Sequence, residues 1–360
     1  VKLFRARPAL APADEVTRLR AAPAKTRKPE SLDGLRRRHE LGCALMKAGD
    51  WPAAEVLFAE LAPAQARVVG ARHPNTLAAW TNLALSLAEQ GRPDEAVPVL
   101  EQTAEVYERT WGAKEPGTFQ TRLNLALVLS VAGRYAEALD VLETHRRSCA
   151  AEVGPAHMAT RVAGYRQLTV LRVLERFDEA ERLLAELASL ATTDRSRDSA
   201  AGVGLLIRAE RGDPQPAVAP LRELVARHGT GGFRELLAAV LLRAGEAREA
   251  AELLGSILAA LPDHRRESLL IRGLLAHAYL EMGDLDRAER EAGALLAAGA
   301  WPSGHPTPVA AQVTLARVAA RRRHREEARR GLEAAVVALN AALGPTHSRT
   351  LETAAWLSEV

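Results

Sequence analysis

Apolar residues recur at helical spacing in paired blocks along most of the chain. The stretch Trp80 to Leu100 shows the unit: Leu83, Ala84 and Leu87 lie before a break at Gly91-Arg92-Pro93, and Ala96 and Leu100 lie after it. A period near 3.6 on both sides of a tight break predicts two amphipathic helices, A and B, joined as an αα-hairpin. The small residues Ala54, Ala96, Ala138, Ala180, Ala217, Ala250, Ala288 and Ala328 set the register of helix B. Five residues before each stands a turn position: Gly49, Gly91, Gly133, Glu175, Gly212, Gly245, Gly283 and Arg323. Six of these eight are Gly in a chain with 25 Gly in 360 residues, so the turns form a pattern that composition does not explain. Eight residues before the turn, Leu41, Leu83, Leu125, Leu237, Leu275 and Leu315 repeat the same theme. Gly supplies the positive φ that ends helix A, Ala lets helix B approach closely, and Leu fills the space between them.

The unit W-x2-L-A-x2-L-x3-G-x4-A, read from Trp80 to Ala96, resembles the tetratricopeptide repeat. The turn-to-turn spacings are 42, 42, 42, 37, 33, 38 and 40 residues. A linker recurs between the longer units: Gly70-Ala71-Arg72-His73-Pro74-Asn75-Thr76-Leu77 and Gly112-Ala113-Lys114-Glu115-Pro116-Gly117-Thr118-Phe119. A weaker copy starts at Gly154-Pro155-Ala156-His157, and Gly344-Pro345-Thr346-His347-Ser348-Arg349-Thr350-Leu351 restores the pattern. This 42-residue period and linker look like the kinesin-light-chain class of the family. His73, His157, His305 and His347 mark helix entries. Glu175 and Arg323 depart from the family's turn Gly.

The resulting expectation is an all-α, right-handed superhelix of eight helix-turn-helix repeats. Residues 1–30 read as a flexible, basic, Pro-containing tail, with disorder or a loosely docked helix around Asp14 to Arg20. Residues 31–360 read as the solenoid, with clear 42-residue repeats over 35–190 and shorter, irregular ones over 198–298. A final repeat and a capping helix fill 308–360, with Trp356 packing on the last repeat. Asp194 or Ser196 is expected to cap the first helix of repeat five, and Pro220 to kink its second.

Composition agrees and narrows the field. Hydrophobic residues make up 48% and aromatics only 4%, which suits Leu and Ala cores between helices. Net charge is +3, too small a surplus to imply nucleic-acid binding. The strong bias to Arg over Lys, with so much Ala, suggests GC-rich coding and a bacterial source. Two cysteines, Cys43 and Cys149, fit a reducing compartment. There is no apolar run of 18 residues and no apolar leader, so a cytoplasmic protein is expected, with no membrane partner. The start at Val1 reads as a non-Met start codon or a trimmed chain.

Phosphate-loop, H-E-x-x-H, C-x-x-C and G-x-S-x-G motifs are all missing, so no enzyme, metal or cofactor is expected. The run Arg321-Arg322-Arg323-His324-Arg325 reads as a solvated face in preference to an acidic docking patch. Asn82 and Asn124, just before the core Leu, read as bonding neighbouring backbone. The family resemblance implies that helix A lines a concave groove for an extended peptide or partner helix. Its inward positions fall on Arg36, His39, Lys47, Thr81, Gln120, Tyr165, Thr169, Arg172, His277 and Arg317. The expected function is a protein-interaction scaffold, with homo-oligomerisation open. The alternative is the sensor module of a bacterial regulator acting on a separate switch or DNA-binding effector.

Overall fold

Local turn chemistry builds the architecture. The computed structural model describes residues 12–21, 31–112, 115–229, 232–261, 266–302 and 304–360, and the secondary structure there is helical. Helix α1 (Pro12–Ala21) comes first. Four A/B pairs follow: α2 (Leu32–Ala48) with α3 (Trp51–Val69), α4 (Pro74–Glu89) with α5 (Pro93–Trp111), α6 (Pro116–Val131) with α7 (Tyr135–Val153), and α8 (Met158–Val173) with α9 (Phe177–Ser189). Four shorter or mixed pairs come next: α10 (Asp194–Glu210) with α11 (Gln215–His228), α12 (Phe233–Arg243) with α13 (Ala247–Leu258), α14 (Arg266–Met282) with α15 (Leu285–Ala297), and α16 (Pro306–Arg321) with α17 (Arg325–Leu343). Helix α18 (Ser348–Glu359) closes the order.

Every A-to-B turn passes through the left-handed region. Gly49, Gly91, Gly133, Gly212, Gly245 and Gly283 have φ of 79°, 77°, 78°, 115°, 80° and 80°. Glu175 and Arg323 adopt the same sign at 54° and 67°, although side chains with a Cβ resist it. The reversal satisfies orphan carbonyls: Gly91 N–H bonds Ala88 O and Arg92 N–H bonds Leu87 O, and the pairs at Gly49, Gly133 and Glu175 repeat it. Just past each turn, Ala54, Ala96, Ala138, Ala180, Ala217, Ala250, Ala288 and Ala328 are completely buried. No larger side chain fits between helices this close.

The chain divides into two compact units, one up to Asn124 and one from Leu125. In the first, α1 packs on α2, α2 on α3, α3 on α4 and α4 on α5. Ser31 caps α2 through Gly34 N, and Asp50 caps α3 through Ala53 N. Phe58, Leu61 and Leu100 are fully buried. Residues 12–21, read from the sequence as part of the tail, form a helix with Val16 buried; the remainder of 1–30 lies outside the described residues.

In the second unit each helix from α7 onward packs on the next in sequence, and α10 also packs on α12 and α14 on α16. Phe233, Leu237 and Leu241 meet Leu221 and Leu224; Leu254 meets Ile271 and Leu275; Val309, Leu332 and Leu339 meet Trp356 and Leu357 of α18. One local expectation is corrected. The cap of α10 is Thr193, which exchanges hydrogen bonds with Ser196 in a capping box, because a residue outside the helix must supply the acceptor. Helix α11 runs from Gln215 to His228 with Pro220 inside it.

Candidate functional site

The recurring linker sets the geometry at the helix entries. A left-handed Gly ends helix B, and its carbonyl accepts a hydrogen bond from the Thr hydroxyl six residues on. Thr76 bonds Gly70, Thr118 bonds Gly112, Thr160 bonds Gly154 and Thr350 bonds Gly344, at 2.7–2.9 Å. The linker His stands at the N-cap and accepts at Nδ1 from the backbone N–H two residues later. His73, His157, His305 and His347 all do this, at 3.1–3.2 Å. An accepting Nδ1 puts the ring proton on Nε2.

In the second unit two of these Nε2 atoms reach far along the chain. His347 Nε2 donates to Val173 O, the last residue of α8, at 2.9 Å. His305 Nε2 lies 3.1 Å from Ser130 O and 2.9 Å from the Tyr135 hydroxyl. The Glu175 carboxylate accepts from Ser348 N–H at 3.0 and 3.3 Å, capping α18 from 173 residues away. Val131, Leu269, Ala300 and Trp301 form a buried apolar cluster beside His305, whose ring stacks on Trp301 at 5.9 Å. Burial lowers the His305 pKa to about 4 and pushes the Tyr135 phenol up to about 12. Both groups are therefore neutral near pH 7.

The inward positions named from the sequence divide between the two units. In the first, His39 stacks edge-on against Phe58 at 5.5 Å and meets Asn82 Nδ2 at 3.5 Å. Asn82 also lies 3.8 Å from Cys43 Sγ, whose pKa burial raises, so the thiol is a poor nucleophile. Thr81 is buried and sits 3.4 Å from the Thr121 hydroxyl, not from Gln120. Exposed Gln120 instead donates to Asn124 Oδ1 at 3.0 Å. Asn82 and Asn124 thus bond side chains, correcting the expected backbone role: their own carbonyl and amide neighbours are already used inside the helix. Arg36 is exposed and paired with Asp33 and Glu40, while Lys47 is exposed at the end of α2.

In the second unit Tyr165 is half-buried and Thr169 exposed on α8, the Thr hydroxyl bonding Tyr165 O. Arg172 is held by a bidentate pair with Glu210 at 2.6 and 2.7 Å, a partner that spacing alone did not indicate. Arg243 lies 3.5 Å from the same carboxylate. Its side chain keeps 37% of its surface, yet desolvation by burial lowers its pKa. Glu210 and Glu352 attract it, and Arg349 and Arg172 repel it, so charges from α8, α10, α12 and α18 converge there. Arg317 pairs with Glu281 at 2.9 Å and lies 4.1 Å over the Trp356 ring. Burial lowers the pKa of His277 beside them.

One signal could have found the missed partners. Two residues before the turn, Glu210, Arg243, Glu281 and Arg321 alternate in sign through consecutive pairs. The structure joins Arg243 to Glu210, and both Arg317 and Arg321 to Glu281. Arg322 pairs outward with Asp286 and Glu289, so the run from Arg321 to Arg325, read as a solvated face, is partly engaged in ion pairs. Chemically these A helices offer cations, carboxylates and hydroxyls. Among the described residues no cluster of His, Cys, Asp or Glu is placed to hold a metal ion, and no helix is long and apolar enough to cross a membrane.

Three models described as tetratricopeptide repeat match residues 38–109, 81–152 and 241–301. Residues 38–152 and 241–301 carry tetratricopeptide repeats. Together with the helical pairs these matches support that family, and the fold is its helical solenoid. Among solved structures, yeast Tom70 matches at 11% identity over 94% of this chain and 65% of that one, with a TM-score of 0.51. A Rap protein complexed with Competence and Sporulation Factor matches at 11% identity over 91% of this chain and 99% of that one, with a TM-score of 0.50. A kinesin-light-chain-like repeat protein from Podosopora anserina matches at 21% identity over 63% of this chain and 97% of that one; its TM-score of 0.31 decides nothing. No curated protein matches the chain. At these identities the structural likeness speaks for the repeat fold alone.

Proposed function

We propose that the chain is a protein-interaction scaffold whose second unit binds an extended peptide or a partner helix on its inner wall. The observation that supports this is the register of the wall. Thr169, His277 and Arg317 each stand six residues before the turn of their helix A, and Arg172 and Arg243 stand three and two residues before theirs, each Arg beside a carboxylate of a neighbouring repeat. A preformed wall of this kind lowers the ordering cost of binding. The 42-residue linkers of the first units belong to the same reading, as the kinesin-light-chain type. In this reading the protein is bacterial and cytoplasmic, performs no catalysis itself, and needs neither nucleic acid nor a membrane. A second reading is a sensor module acting on a separate switch or DNA-binding effector.

The experiment is selection of a displayed random-peptide library on the full chain, followed by titration of the hits. Tyr165→Ala combined with Thr169→Arg is the test variant, because neither side chain carries an ion pair of the wall. Binding weakened by tenfold or more, with helicity retained, supports the inner wall. Hits that bind both proteins equally would move the site to another face.

A further inference from the structure

Glu175 is the residue to explain. Six of the eight turns use Gly at this position. Glu175 accepts a left-handed backbone at φ 54°, and its carboxylate bonds the first N–H of α18. Beside it, His347 Nε2 satisfies the terminal carbonyl of α8, an orphan acceptor of the helix end. The second fastening is 170–175 residues long in sequence: His305 on Ser130 O at the end of α6 and on the Tyr135 hydroxyl at the start of α7. Val131 inserts between Leu269, Ala300 and Trp301 at the same place.

We infer that the second unit is a coil closed on itself along this narrow seam, and that the seam opens as a separate conformational step while the repeats stay folded. The two fastenings lie at successive repeats: the turn of the third pair meets the entry of α16, and the turn of the fourth meets the entry of α18. They share one geometry, a linker His turned onto the last carbonyls of a helix A. All the atoms involved are helix termini and linker side chains. Buried residues that hold neighbouring helices together, such as Leu221, Leu254 and Leu332, cluster with their sequence neighbours and take no part. Breaking the seam therefore leaves every helix pair its own core, as expected of an array in which each repeat packs on its neighbours. Opening would widen the space lined by Arg172, Arg243 and Arg317, so the seam's state sets the shape of the inner wall. The closure stands apart from the proposed peptide binding.

The variant that separates this from a purely local role is Glu175→Gly. Gly is the residue of the other turns, so a local role predicts a turn that forms at least as well as before. Seam opening predicts that the amides of Ser348 and Arg349 exchange about tenfold faster or more, with circular dichroism unchanged. It also predicts a larger radius of gyration by solution scattering, and a further increase when His305→Ala is added. Glu175→Gln, which keeps an acceptor oxygen, should recover much of the protection. The inference is overturned if Glu175→Gly leaves those amides and the radius of gyration as in the wild type. It is equally overturned if in the wild type these amides exchange only with global unfolding, since the seam would then not open on its own.

Discussion

Two pairs of linkers share one motif and differ in what it reaches. At His73 and His157 the imidazole caps its helix through Nδ1, and among the described residues its Nε2 bonds nothing. At His305 and His347 the same cap is made, and Nε2 goes on to the carbonyl end of a helix far back in the chain. Burial follows: His157 is exposed, whereas His305 and His347 are 7% and 8% exposed. The lesson is that a cap is a local device with a spare donor. Where the coil brings an orphan carbonyl to that donor, the cap becomes a tertiary fastening at no cost to its first role.

The largest expected effect contrasts His305→Ala with His157→Ala. Losing an N-cap acceptor costs about 1 kcal/mol. His305 also gives up buried hydrogen bonds and its stack on Trp301, so its loss should total about 3–4 kcal/mol. Urea unfolding followed by circular dichroism measures both; equal losses would erase the distinction between the linkers.

Acid should act on the same histidine. Its folded pKa, about 4, lies below the ordinary value of 6.5 because burial disfavours the imidazolium. The unfolded chain therefore binds more protons between these values. Stability from this group is present above pH 6.5 and is lost as pH falls toward 4, by roughly 3 kcal/mol in all. A proton on Nδ1 would also face the Thr307 N–H it now accepts. Unfolding free energies measured between pH 7 and pH 4 should show a slope in the wild type that His305→Ala largely removes and His157→Ala keeps.

The two non-glycine turns give a smaller contrast of opposite sign. Nothing in the structure explains Arg323 at φ 67°, so Arg323→Gly should stabilise by up to about 1 kcal/mol. Glu175→Gly relieves the same strain but loses the cap on α18, and should be neutral or destabilising by about 1 kcal/mol. Equal stabilisation in both would mean that the Glu175 carboxylate contributes nothing.

The fold was legible because its signals are local. Gly49, Gly91 and Gly133 announce their turns within a few residues, and Ala96 marks the close approach of two helices within one pair. His73 and its counterparts were readable as helix entries for the same reason. The seam was not legible, because Ser130 and His305 become neighbours only after the coil winds, and no pattern at that separation exists to be read. Glu175 was visible as a departure from Gly, yet what it departed for lay 173 residues away. The partners of Arg172 and Arg317 were hidden differently. Glu210 and Glu281 do carry a register signal, but it appears only when turns are aligned and the residue two positions earlier is compared.

The smallest effect serves as the control for the whole comparison. Thr76, Thr160 and Thr350 each donate a hydroxyl hydrogen bond to a Gly carbonyl in their own linker, whether or not the linker joins the seam. Replacing each by Val keeps the shape and removes one hydrogen bond, for about 1 kcal/mol or less. If the motif is local and the seam an addition, Thr160→Val and Thr350→Val should cost the same. Only the amides of α18 would then distinguish them, since loosening its entry also loosens the His347 ring that reaches Val173. A much larger cost for Thr350→Val would mean that cap and fastening are one cooperative structure, and that the linker motif cannot be divided into the two roles assigned to it.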